Sequence, residues 1–194
     1  MTTIRPETAE DYEAIREVNQ LAFGREEEAR LVEALRRLPD FIPELSLVGI
    51  EAGRVVGHIL FSPMVIETQE GAVPALALAV LAVRPEFQNQ GIGSELVRDG
   101  LERCRSLGHR IVVVIGHPKY YPRFGFSPAR AQGLKVPFPV PYEAFLALEL
   151  VPGALDGLAG MVKYPPPFDE ALGACVPEGR EVGRVLDELP LLSF

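Results

Sequence analysis

The run Ala75-Leu76-Ala77-Leu78-Ala79-Val80-Leu81-Ala82-Val83 is apolar throughout and is closed by Arg84-Pro85. The glycine-bearing stretch Gln88-Asn89-Gln90-Gly91-Ile92-Gly93 follows it. Such a run is about half of the ~20 residues a membrane helix needs, and it suits a strand buried in a sheet. Beyond the glycines, Leu96, Val97, Leu101 and Cys104 extend a helical pattern as far as Leu107-Gly108, with Gly108 as the stop. Ile111-Val112-Val113-Val114-Ile115 is then an uninterrupted, β-branched strand. Strand, glycine turn, helix and strand make a βαβ-like unit, which commits this part of the chain to a sheet with a helix packed on it. Within the first strand, small residues hold 75, 77 and 79 and large ones 76, 78 and 80, but after Val80 the parity flips. One extra residue produces such a flip, which predicts a β-bulge near Val80 and Leu81. A strand buried on both faces, however, needs no strict alternation.

Upstream the period changes twice. Thr8 followed by Glu10 and Asp11 is a helix start, with apolar spacing continuing through Ile15, Val18 and Ala22 to Phe23-Gly24. A second helix is expected from Glu26, with Ala29, Leu31, Val32, Leu35 and Leu38 apolar, ended by Pro39. Leu45 to Ile50 reads as a strand, Glu51 to Arg54 as a turn, and Val55 to Glu67 as a long returning strand. Pro63 should loosen the pairing of that strand locally. With the turn at Thr68 to Gly71 and the run from Ala75, three strands form an antiparallel meander. From Gly133 prolines multiply, with a strand expected at Phe145 to Val151. We therefore expect a core over residues 1–130 and an extension over 131–194, packed on that core and fraying at its end.

The length, 194 residues, supports a buried core without disulfides or metals. A net charge of -8 argues against a general nucleic-acid partner, which would need a basic excess. No apolar run is long enough to span a membrane, and the polar segment Met1 to Glu10 does not read as a secretory signal. Cys104 and Cys175 make neither a disulfide framework nor a four-ligand zinc site, and no metal is expected. These features lead us to expect a cytoplasmic protein with no nucleic-acid or membrane partner. The apolar, proline-rich tail is a candidate homodimer surface.

Between strand and helix, Gln88 to Gly93 lets backbone approach a ligand, and the helix start beyond it presents amides with partial positive charge. Phosphate is the usual guest of such a turn. It is neither a P-loop nor a G-x-G-x-x-G fingerprint, and a glycine turn can also be a plain connector.

Here the sequence resembles the GNAT superfamily of acetyl-CoA-dependent N-acetyltransferases, over about residues 1–130. The family motif Q/R-x-x-G-x-G/A stands as Gln88-Asn89-Gln90-Gly91-Ile92-Gly93, after the strand end Leu81-Ala82-Val83-Arg84-Pro85-Glu86-Phe87. A downstream Y-x-x-x-G-F pattern is matched by Tyr121-Pro122-Arg123-Phe124-Gly125-Phe126. The resemblance implies an α/β fold with a mixed, largely antiparallel sheet flanked by helices. It also implies a splayed parallel strand pair at the cofactor cleft, with a bulge making room. Backbone groups of Leu81, Ala82 and Val83 would pair with the pantetheine arm of acetyl-CoA. Amides of Gln88, Asn89, Gln90, Gly91, Ile92, Gly93 and Ser94 would hold the pyrophosphate. Tyr121 would be the general acid for the departing thiolate, although aromatic neighbours such as Tyr120-Tyr121 also pack simply as core.

Acetyl transfer to an amine needs a deprotonated nucleophile, an oxyanion donor and a proton for sulfur. A backbone amide near Leu81 is the candidate oxyanion donor. The base is open among His58, Glu67, His117 and a water relay. Many family members carry an asparagine after the second motif strand, where this chain has Gly116-His117-Pro118-Lys119. Glu26-Glu27-Glu28 reads either as a lining for a cationic amine or as a solvated first helical turn. Neither cysteine has an electropositive neighbourhood, and Cys104 falls on an apolar helix position, so direct attack on the thioester is expected rather than a covalent enzyme intermediate. Two other readings stand beside the enzyme: a non-catalytic acyl-CoA-binding regulatory module, and a nucleotide-binding domain that would hold ADP as tightly as CoA.

Overall fold

The computed structural model describes residues 2–169; Cys175 and the end expected to fray lie outside the described residues. The chain divides into two compact units. Among the described residues, one holds those up to Ser62 together with Ala79–Arg103, and the other holds Pro63–Leu78 and residues 104–169. Residues on both sides of position 130 thus fall in the second unit.

In the first unit, strand β1 (Thr3–Pro6) lies antiparallel to β2 (Ser46–Glu51), and β2 lies antiparallel to the start of β3 (Arg54–Thr68). Ala52 and Gly53, with φ of 48° and 77°, form the tight turn between β2 and β3, whose twist suits a hairpin. Helices α1 (Tyr12–Phe23) and α2 (Glu27–Arg36) connect β1 to β2. Thr8 and Asp11 close a capping box ahead of α1, after one 3-10 turn, and Gly24 ends the helix at φ 69°. Asp11 also takes a forked pair from Arg5 at 2.6 and 2.9 Å, and these bonds hold its carboxyl down at about 2. Strand β4 (Gly71–Val83) completes the meander beside β3, and α3 (Ile92–Ser106) follows it.

A directed chain of hydrogen bonds ties both helices to the strands. Asn19 Nδ2 on α1 donates to the Ile15 carbonyl (2.9 Å) and faces His58 Nδ1 on β3 at 3.3 Å. His58 Nε2 lies 3.0 Å from Ser46 Oγ on β2, and Ser46 donates to Glu7 Oε2 at 2.7 Å. Arg36 on α2 closes the chain with two bonds to Glu7, at 2.7 and 2.9 Å. The only self-consistent protonation makes His58 a neutral imidazole with its hydrogen on Nε2. Burial pushes His58 below its ordinary value. Burial alone would raise Glu7, but His58, Arg36 and Ser46 outweigh it and hold the carboxyl at about 2.

Acid should therefore unfold the protein in two stages. Below the ordinary imidazole value, about 6.5, the unfolded chain takes a proton that folded His58 refuses, so stability falls. Below about 4.5, the unfolded carboxyls take protons that Glu7 and Asp11 accept only near 2, and the fall steepens. Urea midpoints measured from pH 8 to pH 3 should be flat above neutrality and show both stages. A midpoint that stays level down to pH 4.5 would contradict the neutral His58.

In the second unit, β5 (Ile111–Ile115) pairs antiparallel with β8 (Phe145–Glu149), which carries β6 (Ser127–Pro128) on its far edge. The strand expected at Phe145 to Val151 is therefore a full sheet member beside β5. The short strand β7 (Leu134–Lys135) runs parallel to β9 (Gly160–Lys163), and β9 pairs with β3 over Val65–Glu67. Strand β3 has β2 as a neighbour as far as Leu60 and β9 only from Val65, so Pro63 sits in the gap between the two ladders. A residue without an amide hydrogen belongs at such a place. Strands β4 and β5 are parallel, and their ladder is limited to Leu76↔Val112 and Ala77↔Val113 although both strands run on. The parity flip in β4 falls in a stretch from Ala75 to Val83 that is buried on both faces apart from half-buried Ala79, where alternation is not required. The register shift between Gly49 and Ile50 leaves Val56 as an extra residue on β3. Among the described residues no helix is long and apolar enough to cross a membrane.

Candidate active site

The glycine turn belongs to the first unit. After β4, residues Pro85–Phe87 make one 3-10 turn, closed by Phe87 N to the Arg84 carbonyl at 2.8 Å. Gln88 folds back to donate from Nε2 to the Val83 carbonyl (3.0 Å), and Gln90 does the same to Glu86 (3.1 Å). Asn89 and Gly91 take left-handed φ values of 59° and 92°, a conformation that asparagine and glycine tolerate best. Asn89, Gln90 and Gly91 are exposed, and nothing lies within 4 Å of the place a Gly91 Cβ would occupy. The first helical bond runs from Glu95 N to the Gly91 carbonyl, so the amides of the first turn of α3 precede the helical ladder and point outward along its axis. This geometry fits a phosphate: open access, successive amides and the positive helix end.

Two features fix the turn in place. Arg84, 2% exposed, donates its backbone amide to the Val56 carbonyl and its Nε to the Val55 carbonyl, both at 2.9 Å. Its other nitrogens fork onto Glu17 of α1 at 3.1 and 2.6 Å. Arg84 is thus committed to the frame beneath the turn, and it is a residue that sequence reading passed over. Secondly, Gly49 and Gly57 face each other across β2 and β3. Cβ atoms there would meet the Ile92 and Leu96 side chains, at 2.8 Å in the tightest case. The start of α3 is seated in that side-chain-free pit. One turn further on, Gly100 lies against Phe61, whose ring leaves no space for a Cβ. Leu81, Ala82 and Val83 are buried just ahead of the turn.

Tyr121 belongs to the second unit. It opens a 3-10 turn, Tyr121–Phe124, that Gly125 ends at φ 95°. Its ring is 1% exposed and stands edge-on to Tyr120 (5.3 Å, 89°) and to Phe126 (5.4 Å, 65°). Burial, with Tyr120 adding to it, raises its hydroxyl well above the ordinary value of 10. The phenol is protonated across the physiological range, as a proton donor must be and a base must not.

The three side chains weighed as bases are placed very differently. His58 is fully buried, with both ring nitrogens engaged in the polar chain of the first unit. Glu67 is exposed on β3, 3.5 Å from Lys163 Nζ. His117 is exposed, and its Nδ1 accepts the Lys119 amide at 3.2 Å, which leaves the imidazole proton on Nε2. The acids that open α2 are tied to arginines. Glu28 is buried against Arg25, Glu26 reaches Arg30 at 2.7 Å and Arg16 at 3.6 Å, and Glu27 lies 3.9 Å from Arg25. Cys104 is core, as its helical position implies, and burial pushes its thiol up to about 12. Among the described residues no group of His, Cys, Asp and Glu side chains is placed to hold a metal ion.

Known proteins share this architecture. A family model described as an acetyltransferase (GNAT) domain matches residues 3–129. The uncharacterized N-acetyltransferase YjhQ of Escherichia coli K12 is 42% identical over 134 residues, which is 69% of this chain and 74% of that protein. The crystal structure of the GNAT family N-acetyltransferase YhbS from Escherichia coli in complex with CoA superposes with a TM-score of 0.80 at 32% identity, covering 87% of this chain and 92% of that one. A GNAT family acetyltransferase from Brucella melitensis in complex with acetyl-CoA gives 0.71 at 33% identity, over 87% and 99% of the two chains. The motif at Gln88 to Gly93 and strands β1 to β5 lie within the matched segment, and the chain belongs to the GNAT family of acetyltransferases.

Proposed function

We propose that this acyltransferase moves the acetyl group of acetyl-CoA onto a primary amine by direct attack, with both substrates bound together. The observation that carries the reading is the exposed turn at Asn89 to Gly91, seated at the start of α3 with its amides turned outward. Its relatives' complexes with CoA and acetyl-CoA support the same donor. In this reading the backbone of Leu81, Ala82 and Val83 takes the pantetheine arm as an added strand. Amides from Asn89 to Ser94 take the pyrophosphate, with no need of a cationic side chain, whereas the Gln88 amide, also expected there, is donated to the Pro85 carbonyl at 3.3 Å.

Acetyl-CoA supplies an activated thioester. The transfer forms a C–N bond and breaks the C–S bond, while the amine loses a proton and sulfur gains one. Tyr121 provides the proton for sulfur, and a backbone amide near Leu81 donates to the carbonyl oxygen as charge develops there. The amine proton leaves to bulk solvent through a water relay held by backbone carbonyls, since His58 is sealed in the core, Glu67 is paired with Lys163, and His117 uses Nδ1 as an acceptor. A chain of net charge -8 favours a cationic acceptor at long range.

Calorimetric titration with acetyl-CoA, CoA and ADP in parallel tests the donor site. Saturable binding of acetyl-CoA, at least 10-fold tighter than ADP, is the expected result. Equal affinity for ADP would favour a plain nucleotide site, and no binding of either CoA species would overturn the proposal.

A further inference from the structure

We propose that Gly116 is a positioning residue for Tyr121, because the phenol ring is seated directly on its Cα and has no room for a side chain there. This rests on the reading of Tyr121 as the proton donor. Gly116 follows β5, is buried, and donates its amide to the Ala144 carbonyl at 2.8 Å. Its φ lies outside the left-handed region, so the backbone itself would accept any L-residue. The obstacle is the ring. A Cβ at Gly116 would stand 2.2 Å from Tyr121 Cε2, 2.9 Å from Cδ2 and 3.2 Å from Cζ.

The ring has little freedom to yield. Tyr120 and Phe126 meet it edge-on. The backbone on either side of it is held by the bonds from Tyr120 N to the His117 carbonyl and from Gly125 N to the Pro122 carbonyl, both at 3.0 Å. A methyl group on Gly116 must therefore swing the ring about its side-chain torsions, and the hydroxyl, at the far end, moves most. Gly116 thus clears the space in which the phenol lies.

Gly116→Ala should lower kcat roughly 10- to 100-fold, the usual cost of misplacing a reacting group by about 1 Å, and leave the acetyl-CoA Kd within 2-fold. In a Tyr121→Phe background the same change should cost less than 2-fold in kcat, because the hydroxyl it displaces is already gone. An equal loss in both backgrounds would overturn the proposal. Should Gly116→Ala prove unstable, melting temperatures decide instead. The change should destabilise the protein carrying Tyr121 and spare Tyr121→Leu, which lacks the clashing ring atoms; equal destabilisation of both would overturn the seating. Full activity in Tyr121→Phe alone would mean that the proton-donor reading has failed and the positioning role with it.

Discussion

Tyr121→Phe is expected to lower kcat by about 100-fold or more, the range general acids contribute, with the acetyl-CoA Kd unchanged. Phenylalanine keeps the ring on Gly116 and its edge contacts with Tyr120 and Phe126, so the change removes a hydroxyl and little else. The pH profile carries a second signature. Because burial holds the Tyr121 hydroxyl well above 10, the wild-type rate should climb with pH as the amine deprotonates, with no alkaline decline from Tyr121 below pH 10. A variant that keeps more than half of the wild-type kcat would show that Tyr121 only packs. The chain would then be an enzyme whose departing thiolate is protonated by water.

His58→Ala should be among the most damaging single substitutions in the first unit. It empties a fully buried position and removes one of the two hydrogen-bond partners of both Ser46 Oγ and Asn19 Nδ2. Cavity formation and the lost buried hydrogen bonds together cost about 3 kcal/mol, which for a domain of this size lowers the melting temperature by about 6–12 °C. Glu7 would also lose part of the bonding that offsets its burial, and the gap to wild type should narrow below the ordinary imidazole value, where wild type alone bears the cost of keeping His58 neutral. His58→Gln keeps amide groups at the site and should recover part of the stability. A melting temperature within 2 °C of wild type for His58→Ala would mean that the polar chain contributes little. Kinetics separate the structural role from a catalytic one, since the folded fraction of either variant should retain normal kcat.

The parts of the fold legible in the sequence are those set by local pattern. The buried run ending at Val83, the glycine turn, the helix stopped by Gly108 and the strand at Ile111–Ile115 follow from adjacent residues, and the structure has them in that order. Pro63 is placed in the gap between two ladders for a reason intrinsic to proline. What escaped is non-local. Nothing near Arg84 reveals that its partner is Glu17, 67 residues earlier. Nothing near Phe145 shows that its strand partner will be Ile115. His58 illustrates the same point at the site. A histidine on a strand beside a catalytic motif reads as a base until Asn19 and Ser46, from two other elements, are found on its nitrogens. Gly116 left only a faint trace, a glycine where a β-branched strand ends, and its meaning depends on a ring five residues ahead.

The paired glycines of β2 and β3 set α3 into the sheet rather than upon it. The end of the helix that offers amides cannot tilt without lifting Ile92 and Leu96 out of the pit left by Gly49 and Gly57. That end is therefore a firm mount, and the residues ahead of it, Asn89, Gln90 and Gly91, are the exposed ones. Stiffness and compliance are separated within a few residues: the amide-bearing end of the helix stays where the fold puts it, and under the proposed function it is the left-handed turn that would adjust to a phosphate.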